Sequence, residues 1–291
     1  MSKRNQIQTR LEDGRLRAPG LALAATVLLV VALTGCGGHA KTAGGNTTTA
    51  SSHPTQPAKT HPVVTTPAKT TTQSSPPASY PKAFALGNDA VAHWAVVEQP
   101  VVAHKSPSES APAVTTLSTQ TGDGTSNLVL VIGEVDKSPS ETWYQVRLPI
   151  LPNNSVGYVR STDLSHLYTV FTHLYVDRAT MTATLKQNGV TIFSTPVGIG
   201  KSQWPTPPGQ YYIRDELTDF NDPFYGPIAF GTSARSAVLT DWPGGGFVGV
   251  HGTNEPDILP GQVSHGCIRM KNSAIEQLAR LMPIGTPLTI T

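Results

Sequence analysis

Near its C-terminus the chain reads Ser264-His265-Gly266-Cys267-Ile268-Arg269, and upstream of it Gly246-Phe247-Val248-Gly249-Val250 runs into His251-Gly252-Thr253. One cysteine therefore sits in a glycine-containing loop, with a second histidine 16 positions before it. A thiol attacks a carbonyl well only as the thiolate, so it needs a base that takes its proton near neutral pH, and histidine is the usual choice. Gly266 has no side chain, so the backbone beside the sulfur can approach a substrate closely and offer N–H groups to a developing oxyanion.

The surrounding stretch, residues 167–291, reads as mostly β. Asn188-Gly189 lies between two β-forming runs, Met181–Leu185 and Val190–Phe193, and both residues tolerate positive φ, which predicts a tight hairpin. Thr206-Pro207-Pro208-Gly209 turns into another strand, and Gly246–Val250 places His251 at a strand end. One late helix is predicted. Ser273 and Glu276 have capping-box spacing, Ile275, Leu278 and Leu281 form an apolar stripe, and Pro283 and Gly285 end it.

His251-Gly252-Thr253 followed by Ser264–Met270, with the Thr206–Ile213 segment before them, resembles the active-site signature of the L,D-transpeptidases, the YkuD-type catalytic domain. The resemblance implies a β-sandwich-like fold and a cysteine-dependent acyltransferase. Cys267 is then the nucleophile rather than a buried inert cysteine. His251 is the general base, its ring oriented by the carbonyl of Gly252, with no carboxylate partner needed. The backbone N–H groups of His265, Gly266 and Cys267 are expected at the oxyanion, and the His265 side chain is read as structural. Ser264 and Thr253 are expected to bind substrate. Arg269 would either hold a substrate carboxylate or pair internally. No cofactor is implied. A zinc site of His251, His265 and Cys267 is the competing reading, but no CxxC, HxxxH or HExxH spacing accompanies these residues.

The resemblance implies peptidoglycan stem peptides as donor and acceptor, joined in a 3→3 cross-link through an acyl-thioester. The same nucleophile would serve an L,D-carboxypeptidase or a cross-link hydrolase, because the acceptor is set by the pocket. A wall-binding lipoprotein with a vestigial catalytic domain is the alternative outside enzymes, and the intact Cys267, His251 and Gly266 argue against it.

Residues 89–166 read as a separate small β-barrel. Trp94–Val97, Leu128–Ile132 and Trp143–Arg147 are β-branched or aromatic-rich, with turn residues between them. Trp143-Tyr144-Gln145-Val146 and Gly157-Tyr158-Val159 resemble bacterial Src-homology-three-like barrels, which implies either wall binding or a stalk.

Residues 37–88 read as a disordered linker rich in Thr, Pro and Ser, with no acidic residue between Cys36 and Asp89. Its low-complexity part would reach about 140 Å extended and about 40 Å as a flexible coil. Before it, the apolar run Leu21–Leu33 follows a basic segment, and Leu33-Thr34-Gly35-Cys36 resembles a bacterial lipobox. Residues 1–36 are thus expected to be a lipoprotein signal, with Cys36 lipidated on the outer face of the cytoplasmic membrane, facing the cell wall. A plain signal peptide or an uncleaved anchor is the alternative. With Cys36 lipidated, Cys267 has no disulfide partner, and an unpaired exported thiol is a candidate reactive residue. A net charge of +2, with 14% charged residues, argues against a nucleic-acid partner. Oligomeric state is open.

Overall fold

The computed structural model describes residues 79–218, 222–240 and 245–291. The signal, the lipobox with Cys36 and most of the linker lie outside them. The described part is mainly β, with one α-helix among the described residues.

The first sheet comprises β1 (Lys82–Ala85), β2 (Ala92–Val96), β3 (Val101–His104), β4 (Ala113–Leu117), β5 (Leu128–Ser138), β6 (Glu141–Arg147), β7 (Val156–Arg160) and β8 (Tyr168–Val170). Its pairing runs β4-β3-β7-β6-β5-β2-β8, with β1 also on β5. The sheet therefore starts earlier and ends later than the stretch 89–166. Lys82–Ala85 falls in the predicted linker and Tyr168–Val170 beyond the predicted barrel, because cross-strand partners recruit them where composition gives no signal.

The second sheet comprises β9 (Thr172–Asp177), β10 (Thr182–Gln187), β11 (Val190–Pro196), β12 (Gly198–Gly200), β13 (Gly209–Thr218), β14 (Ile228–Arg235), β15 (Phe247–His251), β16 (Gly261–Ser264), β17 (Ile268–Arg269) and β18 (Pro287–Ile290). The helix α1 (Asn272–Ala279) lies between β17 and β18. Asn188 and Gly189, at φ 50° and 79°, make the tight turn between β10 and β11.

The long strand β13 belongs to both halves of this sheet. Gly209–Tyr212 pair with β18, while the residues from Ile213 to Thr218 pair with β14, and the register shifts between Ile213 and Asp215. A strand that changes partners across such an irregularity makes a corner. The two halves fold over one core, in which Leu174, Val176 and Leu185 meet Phe230, Val250 and Ile268.

The helix does not begin with the predicted capping box. Lys271 is its N-cap, without a side-chain cap bond, and Ser273 lies inside the first turn. Ile275 and Leu278 are fully buried, as their spacing requires.

The two sheets share a smaller core of Ala92, Leu128, Leu130, Val170 and Tyr212. The Tyr212 hydroxyl donates to the Leu128 carbonyl at 3.1 Å, and burial pushes its pKa up to about 12. Thr125 also donates to Asp215 Oδ2 at 3.1 Å, fastening the first sheet onto β13.

Candidate active site

The pairing of β15 with β17 builds the site. These strands run parallel, with Val250 opposite Ile268 and His251 opposite Arg269. Val250 and Ile268 are both fully buried, each contributing about 1.5–3 kcal/mol, and so hold the register. Side chains alternate along a strand, so Gly249 and His251 share the other face of β15. Cys267 precedes β17 by one residue and lies beside Gly249, whose N–H donates to Sγ at 3.4 Å. A glycine thus leaves room for the thiol next to the histidine. Cys267 is partly exposed at a cleft that opens to solvent.

His251 is 1% exposed. Its Nδ1 lies 2.6 Å from the Gly252 carbonyl, the arrangement that leaves Nε2 as the acceptor of the neutral ring. No other described residue hydrogen-bonds Nε2. Burial lowers the imidazole pKa to about 4; the Arg269 charge adds to this, and the bond to Gly252 opposes it. The Cys267 thiol is pushed up by burial, against smaller opposing effects of the Gly249 N–H and the Arg269 charge. At neutral pH the resting site therefore holds a neutral thiol and a neutral imidazole.

The loop around the nucleophile is fixed by hydroxyl groups. Gly266 adopts φ 117°, a conformation that glycine tolerates. Its carbonyl accepts from Thr206 Oγ1 at 2.8 Å, and that oxygen also accepts the Gly200 N–H at 2.9 Å. Thr206 is 1% exposed and was not singled out in the sequence as a site residue.

Four of the sequence expectations need revision or narrowing. The hydroxyl of Ser264 accepts the Gly266 N–H at 3.1 Å and donates to the Cys267 carbonyl at 2.6 Å. Ser264 therefore braces the loop while also lining the cleft, and the Gly266 N–H is taken up inside the loop. Thr253 is 1% exposed, with its N–H on Asn272 Oδ1 and its hydroxyl accepting the Glu255 N–H. It braces the loop after the base and does not reach the cleft.

Arg269 shows the internal pairing, with Nη1 3.5 Å from Glu255 Oε2 and its guanidinium 4.3 Å from the Phe224 ring centroid. Glu255 is mostly exposed, so this ion pair contributes little, while the arginine still borders the cleft. The His265 ring packs on Trp204 at a centroid distance of 4.1 Å, and burial, then Lys201 and Arg269, hold its pKa below the ordinary value. Among the described residues no cluster of three or more His, Cys, Asp or Glu side chains forms that could hold a metal ion.

Two further features are absent from any local motif. Phe224 and Tyr225 flank the base, with the Tyr225 ring centroid 5.0 Å from that of His251. Asn272 Oδ1 accepts the Thr253 N–H at 2.8 Å and sits against Gly252, where a Cβ would collide with it. Asn272 thereby holds the peptide whose carbonyl orients His251.

The family model of the L,D-transpeptidase catalytic domain, YkuD, matches residues 172–290. The YkuD protein of Bacillus subtilis (strain 168) is 33% identical over 123 residues, covering 42% of this chain and 68% of that one. YqjB of the same organism is 31% identical over 103 residues, covering 33% of this chain and 57% of that one. Among solved structures, the catalytic domain of the E. faecium L,D-transpeptidase is 23% identical, covers 41% of this chain and 96% of that one, and gives a TM-score of 0.31. The chain belongs to the L,D-transpeptidase catalytic-domain family. It spans about half to two thirds of the length of the curated relatives it matches.

Proposed function

We propose that this chain exchanges a peptide bond of peptidoglycan stem peptides through a thioester on Cys267, giving a 3→3 cross-link. The observation that supports this reading is the placement of Cys267 beside Gly249, with the His251 ring held through Nδ1 by the Gly252 carbonyl.

The donor carbonyl joins the L-centre of diaminopimelate to the terminal D-alanine. As Sγ bonds to that carbon, the thiol proton passes to His251 Nε2. The carbon–nitrogen bond then breaks, and His251 returns the proton to the departing D-alanine amine. The side-chain amine of a second stem attacks the thioester, losing its proton to Nε2, and the sulfur recovers that proton as it leaves. One amide is exchanged for another, so no nucleotide is consumed.

A buried imidazole with a pKa near 4 is a weak base that holds a proton poorly. It suits a step in which the proton is passed on as the amine departs. With the Gly266 N–H taken by Ser264, the Cys267 N–H is the donor we assign to the oxyanion. Lipidation at Cys36 and attachment to the outer face of the cytoplasmic membrane complete the proposal, with the low-complexity stretch ahead of β1 giving the reach into the wall.

The test is product mass after incubating the enzyme with a tetrapeptide donor and an amine acceptor. A cross-linked dimer with release of D-alanine supports the proposal. Tripeptide alone, with water as acceptor, assigns the chain to the carboxypeptidases.

A further inference from the structure

The apolar wall of the cleft is not built by the reacting residues. Leu239, Gly246 and Phe247, with Ser236, line the cleft beside Cys267, and they come from the connection between β14 and β15 and from the first residue of β15. Pairing is irregular at its base. Gly231 faces Gly249, but the next partner pair is Arg235 with Phe247, so β14 carries two more residues than β15 across the gap. Ser236 bonds Gly246 on the β15 side, so the Arg235 N–H and carbonyl face the other way, where β13 has left β14 beyond the Ile213–Thr232 pair for β18.

A side chain from the other sheet bonds both of these Arg235 groups. Asn153, in the loop between β6 and β7, accepts the Arg235 N–H at 3.0 Å and donates to the Arg235 carbonyl at 2.7 Å. Its amide thus replaces a strand partner, 82 residues away in sequence. Arg235 in turn touches the wall. Its guanidinium packs 4.8 Å from the Phe247 ring centroid, with Arg214 at 4.5 Å from the same ring. The next residue, Ser236, donates its N–H to the Gly246 carbonyl at 2.8 Å and accepts the Leu239 N–H on its hydroxyl at 3.1 Å.

We infer that Asn153 is a positioning residue for the cleft: the first sheet grips Arg235 and so sets Phe247 and Leu239 as the apolar surface against which the substrate lies next to Cys267. The first sheet is then part of the substrate site and not only a spacer. This rests on the cleft at Cys267 being the reacting site. It deepens the proposed function by naming an apolar group beside the scissile carbonyl as what this wall recognises.

The same loop supplies its own control. Asn154 makes an equally close bond to the second sheet, its Oδ1 accepting the Gln210 N–H at 2.6 Å, but on β13 and on a residue outside the cleft lining. Loss of either asparagine weakens the attachment of the sheets, yet only loss of Asn153 releases the wall.

The experiment compares alkylation of Cys267 in the whole chain by iodoacetamide and by N-benzyl iodoacetamide, followed by intact mass. Wild type should favour the benzyl reagent, whose ring lies on the wall. Asn153→Ala should lower the benzyl-to-parent rate ratio about tenfold, with the iodoacetamide rate nearly unchanged. Asn154→Ala should keep the wild-type ratio even as its Tm falls. Asn153→Asp keeps an acceptor for the Arg235 N–H and should fall between; it carries the test if Asn153→Ala does not fold, an unchanged ratio then counting against the inference. No benzyl preference in wild type, an unchanged ratio in Asn153→Ala, or an equal loss in Asn154→Ala overturns it. Neither reagent resembles a stem peptide, so a failure of the transpeptidase reading leaves this ratio untouched, and the reverse also holds.

Discussion

Gly249 and Cys267 are joined by a hydrogen bond from the glycine N–H to Sγ at 3.4 Å, and a Cβ added at Gly249 would stand 3.9 Å from that sulfur and 3.8 Å from His251 Cδ2. The glycine therefore occupies the space between nucleophile and base. Neither distance is a clash, so Gly249→Ala should fold normally and lose less than about tenfold in acylation. Gly249→Val puts two more methyl groups into the gap and should lose about 10²-fold, the scale on which small displacements act. Thermal melts and single-turnover acylation of the two variants check this grading. Equal rates for both would remove the gap from the account.

The two histidines should separate by pH. Without His251 the thiol has no proton acceptor, and burial already holds it above the ordinary value. Acylation by His251→Ala should fall by roughly 10²–10⁴-fold at pH 7 and recover in part as the pH is raised past about 9. His265 packs on Trp204, so His265→Ala should cost less and show no recovery. A dead His265→Ala revived by alkali, beside an active His251→Ala, would reverse the roles.

His251 also links stability to pH. Its folded pKa, about 4, lies below the ordinary 6.5, so the unfolded chain binds more protons between these values. The contribution is fully present above pH 6.5 and is lost as the pH falls toward 4, to an extent of about 3 kcal/mol. Urea midpoints over this window should drop more steeply for wild type than for His251→Asn. Parallel profiles would mean that the ring is not buried in its neutral form.

Asn272 should matter for both fold and chemistry. Asn272→Ala leaves the Thr253 N–H without its acceptor, at a cost of about 1–3 kcal/mol, and loosens the Gly252 peptide that orients the base. Asn272→Asp keeps the acceptor and should restore most of the acylation rate. The pH profile of Cys267 alkylation in both variants is the check, because a purely structural loss would leave it unmoved.

The reach of the sequence follows the range of the interactions. The Asn188-Gly189 turn, the strand ending at His251 and the burial of Ile275 and Leu278 rest on neighbours a few residues apart and were legible, whereas Leu281 falls past the end of α1 and is only partly buried. Gly252 was legible too, because its carbonyl acts on the adjacent residue. Gly249 and Asn272 act across 18 and 19 residues, where a single chain gives no signal, and Thr206, although inside a quoted segment, acts across 60. Thr253 misled because nearness to the base in sequence says nothing about where a hydroxyl points. The helix start misled too: the helix begins before Ser273, at Asn272 with Lys271 as N-cap, which leaves Ser273 inside the first turn.

If Cys267 carries the acyl group, the intact-protein mass should change on mixing with a disaccharide-tetrapeptide. Wild type should carry an adduct of the disaccharide-tripeptide acyl mass, with release of D-alanine, and Cys267→Ala should carry none. An adduct of the same mass on Cys267→Ala, or product formed by that variant at the wild-type rate, would contradict it.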